Sequence, residues 1–334
     1  MKVPYTQQWN FTVERDVGGV GLRVSYVGAR SVNLIYRRNL NQPPPSTTPF
    51  SSDRRPYPLY NQIIWSENGG NEAYHGLEVA ATKKYGKNLS FGAGWTWGRD
   101  LTDTQEVGGS SFGGQVIQDQ FDRGAEKANN ALVLRHRAFA HAVYALPFGR
   151  DQRFLSKAHA VVQGALGGWN TGWNVNLQSG QFFTPSFSGF DPSNTGSFGG
   201  RPDCIGNGNL PAGQRTIERW FDASAFKIPG CPDAHPVCSD PASVGRFGNS
   251  GLNILEVPGI ANVDFSLMKY FNLHEKTRLQ FRLIMVNAFN HPNFAVPRSN
   301  IRSLGTVGTI SSMARVLNGL PATREIDIGL RLEF

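Results

Sequence analysis

The last residues of the chain alternate without a break. Ile326, Ile328, Leu330, Leu332 and Phe334 fall on one side, and Asp327, Gly329, Arg331 and Glu333 on the other, the period-2 signature of a strand. The pattern recurs upstream, where Trp169, Thr171, Trp173, Val175 and Leu177 alternate with Asn170, Gly172, Asn174, Asn176 and Gln178. At ~100° per residue those five positions would scatter around a helix, so only a strand fits them. Nine residues at ~3.3 Å each, tilted by ~40°, reach ~23 Å, close to the ~25 Å apolar band of an outer-membrane barrel. The Asn and Gln side chains of the other face would be costly in a dry core and suit a wet lumen.

Extending this reading predicts four hairpins and a final strand. The expected strands are 5–17 with 20–36, 72–85 with 88–100, 133–147 with 164–181, 260–272 with 277–290, and 326–334. The turns are VGGV, YGKN, LHEK and the longer connection that begins PFGRDQRFLSK. Between hairpins lie polar, Gly- and Pro-rich stretches at 37–71, 101–132, 182–259 and 291–321, far beyond the ~4–6 residues usual in compact domains. Short connections on one side and long loops on the other are the asymmetry of outer-membrane barrels, turns in the periplasm and loops outside. Leu89, Phe91, Ala93, Trp95 and Trp97 alternate with Ser90, Gly92, Gly94 and Thr96, and the inward glycines are expected to leave room for a plug or ligand. Trp9, Tyr26, Trp95, Trp97, Tyr144, Trp169, Trp173 and Tyr270 are expected to form interfacial aromatic girdles. The fold expected is all-β: an antiparallel transmembrane β-barrel segment of about nine strands, open as it stands. Its lipid-facing residues would include Trp95, Trp97, Trp169, Trp173, Val175, Leu177, Ile328, Leu330 and Leu332.

Composition changes the picture in three ways. Only 17% of the 334 residues are charged, against ~25% in soluble domains, and 38 are Gly. No stretch approaches the ~18 apolar residues of a transmembrane helix, so any membrane crossing must be by strands. MKVPYTQQWN has no apolar h-region or cleavage site, and an odd strand count cannot close a single-chain bacterial barrel. The chain is therefore expected to be the C-terminal part of a larger barrel. Its net charge of +8 is dispersed without the clustered stripe of a nucleic-acid footprint; near the membrane such charge would meet lipopolysaccharide phosphates.

Candidate chemistry is sparse. Cys231 and Cys238 flank His235 in CPDAHPVC, and with no clear fourth ligand a disulfide is expected ahead of a zinc site; Cys204 is left over. His136 and His141 are five apart and on opposite strand faces. DPSNTG at 191–196 starts like a calcium loop, but Pro202 stands where the twelfth position needs Glu, so a turn is expected. No P-loop, G-x-S-x-G or G-x-G-x-x-G occurs. No catalytic, cofactor or metal residue is assigned, and the chain is not read as an enzyme.

Seven segments in order carry a resemblance: HRAFAHAVYALPFGRDQRF, GGWNTGWNVNLQSGQFFTP, RWFDASAFKIPG, FGNSGLN, VPGIANVDFSLMKYF, LQFRLIMVNAFNHPNFAVP and TREIDIGLRLEF. Together they resemble the C-terminal barrel of TonB-dependent outer-membrane receptors, nearest to the Oar-like branch. The resemblance implies a location in the outer membrane of a Gram-negative bacterium, as part of a 22-stranded barrel. That barrel would surround a plug and be energised through TonB. Signal, regulatory-like domain, plug and TonB box are not found in residues 1–334, so TonB would act only through a missing N-terminal part. The implied function is the wall and extracellular loops of an uptake channel; the alternative is a non-transport surface or secretion-linked barrel of adhesin type. Partners would be outer-membrane lipid, lipopolysaccharide and the barrel assembly machinery, which would recognise the terminal Phe334.

Overall fold

The computed structural model describes residues 2–84, 86, 88–105, 116–150, 152–233, 235–274, 277–314 and 323–334. Nine long strands form one antiparallel sheet: β1 (Tyr5–Val17), β2 (Val20–Asn39), β3 (Ile64–Lys83), β4 (Leu89–Thr102), β5 (His136–Ala145), β6 (Trp169–Gln178), β7 (Ile260–His274), β8 (Thr277–Val286) and β9 (Glu325–Glu333). Each pairs with the strand before it in sequence. Among the described residues nothing pairs the outer edges of β1 and β9, so the sheet is open. No helix among them is long and apolar enough to cross a membrane.

The first turn shows why the registers hold. Gly18 and Gly19 have φ of 61° and 77°, the left-handed values that a two-residue hairpin needs to match strand twist, and the Gly19 N–H donates to Asp16 Oδ1 at 3.1 Å. Val17 then pairs with Val20, and the register runs unbroken to Tyr5 opposite Val32. The YGKN and LHEK turns include Tyr85, Lys87, Glu275 and Lys276, which lie outside the described residues.

Several expectations need correction. β2 continues to Asn39 and β3 begins at Ile64, so eight residues expected in a loop before position 72 are strand. Asn33, at φ 58°, marks the irregularity: above it the register shifts between Val32 and Ile35. β6 starts at Trp169 rather than 164, because Ala160–Leu166 is a helix, α1. β8 ends at Val286, four residues early.

The segment 182–259 is not merely a polar loop. Phe183, Phe187, Phe221, Phe226, Ile228, Leu255 and Ile301 form a small core, with Phe226 and Ile228 wholly buried. This core fastens a cap over the long-loop end of the sheet. Gln42 Nε2 donates to Gln118 O at 2.9 Å, Arg54 Nη1 to Asn194 O at 2.6 Å, and Asn253 Nδ2 to Asn129 O at 2.7 Å. Segments from all parts of the sequence are thus tied into one body.

Candidate functional site

Cross-strand partners share a face, so the registers sort every side chain of the sheet. One face carries Val13, Val24, Val79 and Trp95 in one row, continuing to Ala138 and Leu177. Further along it Trp173 meets Ala142 and Phe265, and Leu330 meets Phe281. Trp97, Trp169, Val175, Ile328 and Leu332 lie on this same face. Large apolar side chains are left bare there: Ile328 is 70% and Leu330 69% exposed. A soluble protein rarely leaves so wide an apolar surface uncovered.

The opposite face is largely polar and carries cross-strand hydrogen bonds, although Phe139, Val143 and Ile284 also stand on it. Thr12 donates to Ser25 at 3.0 Å, Arg23 pairs with Glu78 at 3.3 Å, Asn174 donates to Asp264 at 3.3 Å, and Gln280 donates to the Tyr270 hydroxyl at 2.6 Å. Tyr270 therefore leaves the expected girdle, since its ring is on the polar side. The remaining girdle residues, Trp9, Tyr26, Trp95, Trp97, Tyr144, Trp169 and Trp173, share the apolar side.

The charges divide as sharply. Below the Asn33 irregularity, every strand carboxylate stands on the polar face, from Glu14, Glu78 and Asp100 to Asp264 and Asp327. Over the same region the apolar face has no carboxylate among the described residues and only Arg15, Arg30, Lys83, Arg99 and Lys269. Arg30 and Arg99 lie toward the cap, and the other three toward the turns. Long basic side chains at the two rims of an apolar band can carry their charge out to the interface.

The inward glycines also make room for neighbouring side chains. A Cβ on Gly94 would lie 2.6 Å from the Phe139 ring, and one on Gly92 2.6 Å from the His141 ring. These glycines make way for rings from the next strand. The two histidines separate as expected: His136 stacks on Trp95 at 5.8 Å on the apolar face, while His141 stacks beside Phe139 on the polar face.

The cap holds a half-open cavity of about 460 Å³. Asn39, Gln42, Gln62, Gln118, Thr184, Ser186 and Ser197 line it with amides and hydroxyls, beside Ile64, Ile117 and Leu252. Arg201 and Glu126 stand in its wall as a buried ion pair, at 3.1 and 2.9 Å through both guanidinium amino groups. The Arg201 N–H also donates to Gln118 Oε1 at 2.7 Å. Arg201 Nε is buried with no partner among the described residues. Such a lining suits a ligand rich in hydroxyl or amide groups. Nearby, burial pushes the Asp119 carboxyl above its usual range. The Asp203 carboxylate, 2.6 Å away, raises the Arg246 guanidinium further. The sequence reading missed Arg201 with Glu126, because a pair 75 residues apart leaves no local signal.

The loop candidates resolve simply. Cys231 is bonded to Cys238, with Cα atoms 5.6 Å apart, and Cys204 is free and exposed. Asp191 accepts from Ser193 Oγ at 2.7 Å, Thr195 N at 3.2 Å and Gly196 N at 2.6 Å, so DPSNTG is a turn. Among the described residues no three His, Cys, Asp or Glu side chains converge as a metal site.

The solved structures that resemble the chain include these three. The outer membrane transporter YddB from Escherichia coli has 8% identity and a TM-score of 0.48, over 99% of this chain and 32% of that one. The pyoverdine-bound FpvA of P. aeruginosa has 9% identity and a TM-score of 0.43, over 98% and 27%. The FrpB iron transporter from Neisseria meningitidis has 12% identity and a TM-score of 0.41, over 99% and 31%. The chain thus spans about a third of the length of these proteins. No curated protein matches it. The family model described as "Outer membrane beta barrel domain" matches residues 1–326. With that match over nearly its whole length, and a two-faced sheet of spanning strands to account for it, the chain belongs to the outer membrane beta-barrel domain family and resides in the outer membrane.

Proposed function

We propose that the chain forms part of the wall and the extracellular loops of a TonB-dependent uptake channel of the Oar-like type. One observation carries the reading: below the Asn33 irregularity the sheet has an apolar face without a carboxylate and a largely polar opposite face, and among the described residues its two outer edges are unpaired. The apolar face, with Trp95, Trp97, Trp173, Val175, Leu177, Ile328, Leu330 and Leu332, turns to lipid. The polar face lines water, and further strands complete the circumference. The cap lies outside the cell, and its amide-lined cavity at the mouth of the wall offers a first binding place for a hydrophilic solute. Energising through TonB belongs to the whole transporter, of which this wall is a portion.

The test is cysteine labelling in outer membranes, in a Cys204→Ser background. Single cysteines from Trp173 to Gln178 are treated with a membrane-impermeant maleimide. Asn174, Asn176 and Gln178 positions should react, and Trp173, Val175 and Leu177 positions should not. A reaction that fails to alternate would exclude a water-filled lumen behind this wall. The same reagent added to intact cells should reach Cys204 in the wild-type cap; protection there would reverse the sidedness.

A further inference from the structure

The helix α1 lies between β5 and β6, within the longest of the connections at the turn end of the sheet. At seven residues it is too short to persist in water unaided. Two side chains of the apolar sheet face hold it. Trp169 Nε1 donates to the Ala165 carbonyl at 2.9 Å, and Lys269 Nζ donates to the Ala165 carbonyl at 3.1 Å and to that of Gly164. Trp169 and Lys269 face each other directly across β6 and β7. The helix is therefore docked on the outside of the wall, on the side that the proposed function turns to lipid.

This docking accounts for the burial of one of the basic rim residues. Lys269 is 4% exposed, lies over the Trp169 and Phe271 rings at 5.3 and 4.8 Å, and has its charge met by the carbonyl end of α1, where a cation is favoured. Most of the helix is otherwise bare. Val161 is 72%, Leu166 53% and, ahead of the helix, Phe154 47% exposed; all three are apolar, and Arg153 and Lys157 stand on either side of Phe154 in sequence. An apolar side with basic neighbours and an aromatic rim is the composition of a segment lying in a lipid interface.

We propose that α1 and Phe154 form an anchor immersed in the inner leaflet of the outer membrane, their exposed apolar side covered by phospholipid. The anchor continues the apolar face of the sheet downward at the periplasmic rim, and Lys269 locks it to the wall. The inference rests on the lipid-facing assignment of that face, and the experiment separates the two.

The full chain, carrying Cys204→Ser, receives single cysteines at Val161, Leu166, Val175 and Leu59, each labelled with a nitrobenzoxadiazole probe. It is reconstituted in phosphatidylethanolamine–phosphatidylglycerol vesicles with brominated acyl chains, and aqueous iodide is titrated in. Leu59, 97% exposed in the cap, is the water reference, and Val175 is the lipid reference. Probes at Val161 and Leu166 should be quenched by the bromines as Val175 is, with iodide quenching several-fold below that at Leu59. Iodide quenching of both at the Leu59 level, with Val175 still lipid-quenched, would overturn the anchor alone. Shielding from both quenchers would assign the surface to protein and overturn it too. Iodide access at Val175 as well would overturn the anchor by removing the lipid-facing wall on which it rests.

Discussion

Replacing Leu330 by Arg should be far costlier than replacing its neighbour Gly329. Leu330 pairs with Phe281 on the apolar face and is four residues from the chain end. At ~3.4 Å per residue and a tilt of ~40°, it lies ~10 Å above that end, near the middle of a ~25 Å apolar band. Arg at the midplane costs about 2–4 kcal/mol. Gly329 stands on the polar face opposite Arg282, and a Cβ there meets nothing within 4 Å. Its replacement adds a like-charge pair, costing at most ~1 kcal/mol, and removes a Gly that weakens the strand. The difference of roughly 2–3 kcal/mol corresponds to about a 30- to 150-fold change in the folding equilibrium. Urea titration in phospholipid vesicles, followed by Trp fluorescence, reads it as a lower midpoint for Leu330→Arg than for Gly329→Arg. Equal midpoints would refute the assignment of the two faces.

Three further outcomes follow from the cap and the chain end. Arg201→Ala should loosen the cap by about 3–5 kcal/mol, because Glu126 is left buried and unpaired, whereas Arg201→Met with Glu126→Leu should restore most of the loss; protease cleavage of the cap on intact cells measures both. Non-reduced peptide mapping should find Cys231 linked to Cys238, and Cys238→Ser should cost the cap about 2.5 kcal/mol by the loop-entropy relation, with two freely alkylated thiols as the contrary result. Deleting Phe334, which is 92% exposed at the end of an unpaired edge strand, should slow assembly by the barrel assembly machinery without altering the urea midpoint of protein already inserted; pulse-chase protease protection separates the two effects.

The sheet was legible wherever the two faces meet different surroundings. Trp169 to Gln178 and Ile326 to Glu333 alternate because one side meets an apolar medium and the other water, and both segments are strands. The upper ends of β2 and β3 were missed for the converse reason. Around Glu67, Asn68, Gly69 and Gly70 both faces are polar, so the paired strand leaves no period to read. Helix α1 hid in AVVQGAL, an apolar run too short to separate a period of 3.6 from one of 2. The cap was read as loop because its core gathers single residues from distant positions, such as Phe183, Phe226 and Ile301. The cysteine pair was visible because its partners are only seven residues apart.

The meander order of the strands has a consequence for size. Each strand is bonded only to its neighbours in sequence, so a hairpin can be duplicated or lost without re-threading the chain. With strands ~4.8 Å apart and tilted by ~40°, each takes up ~6.3 Å of perimeter, and a hairpin ~12.5 Å. The nine strands supply ~56 Å of arc, and a ring of 22 would have a diameter of about 44 Å. The bore of such a wall is thus set by counting hairpins, while what passes through it is set by the side chains that each hairpin turns inward.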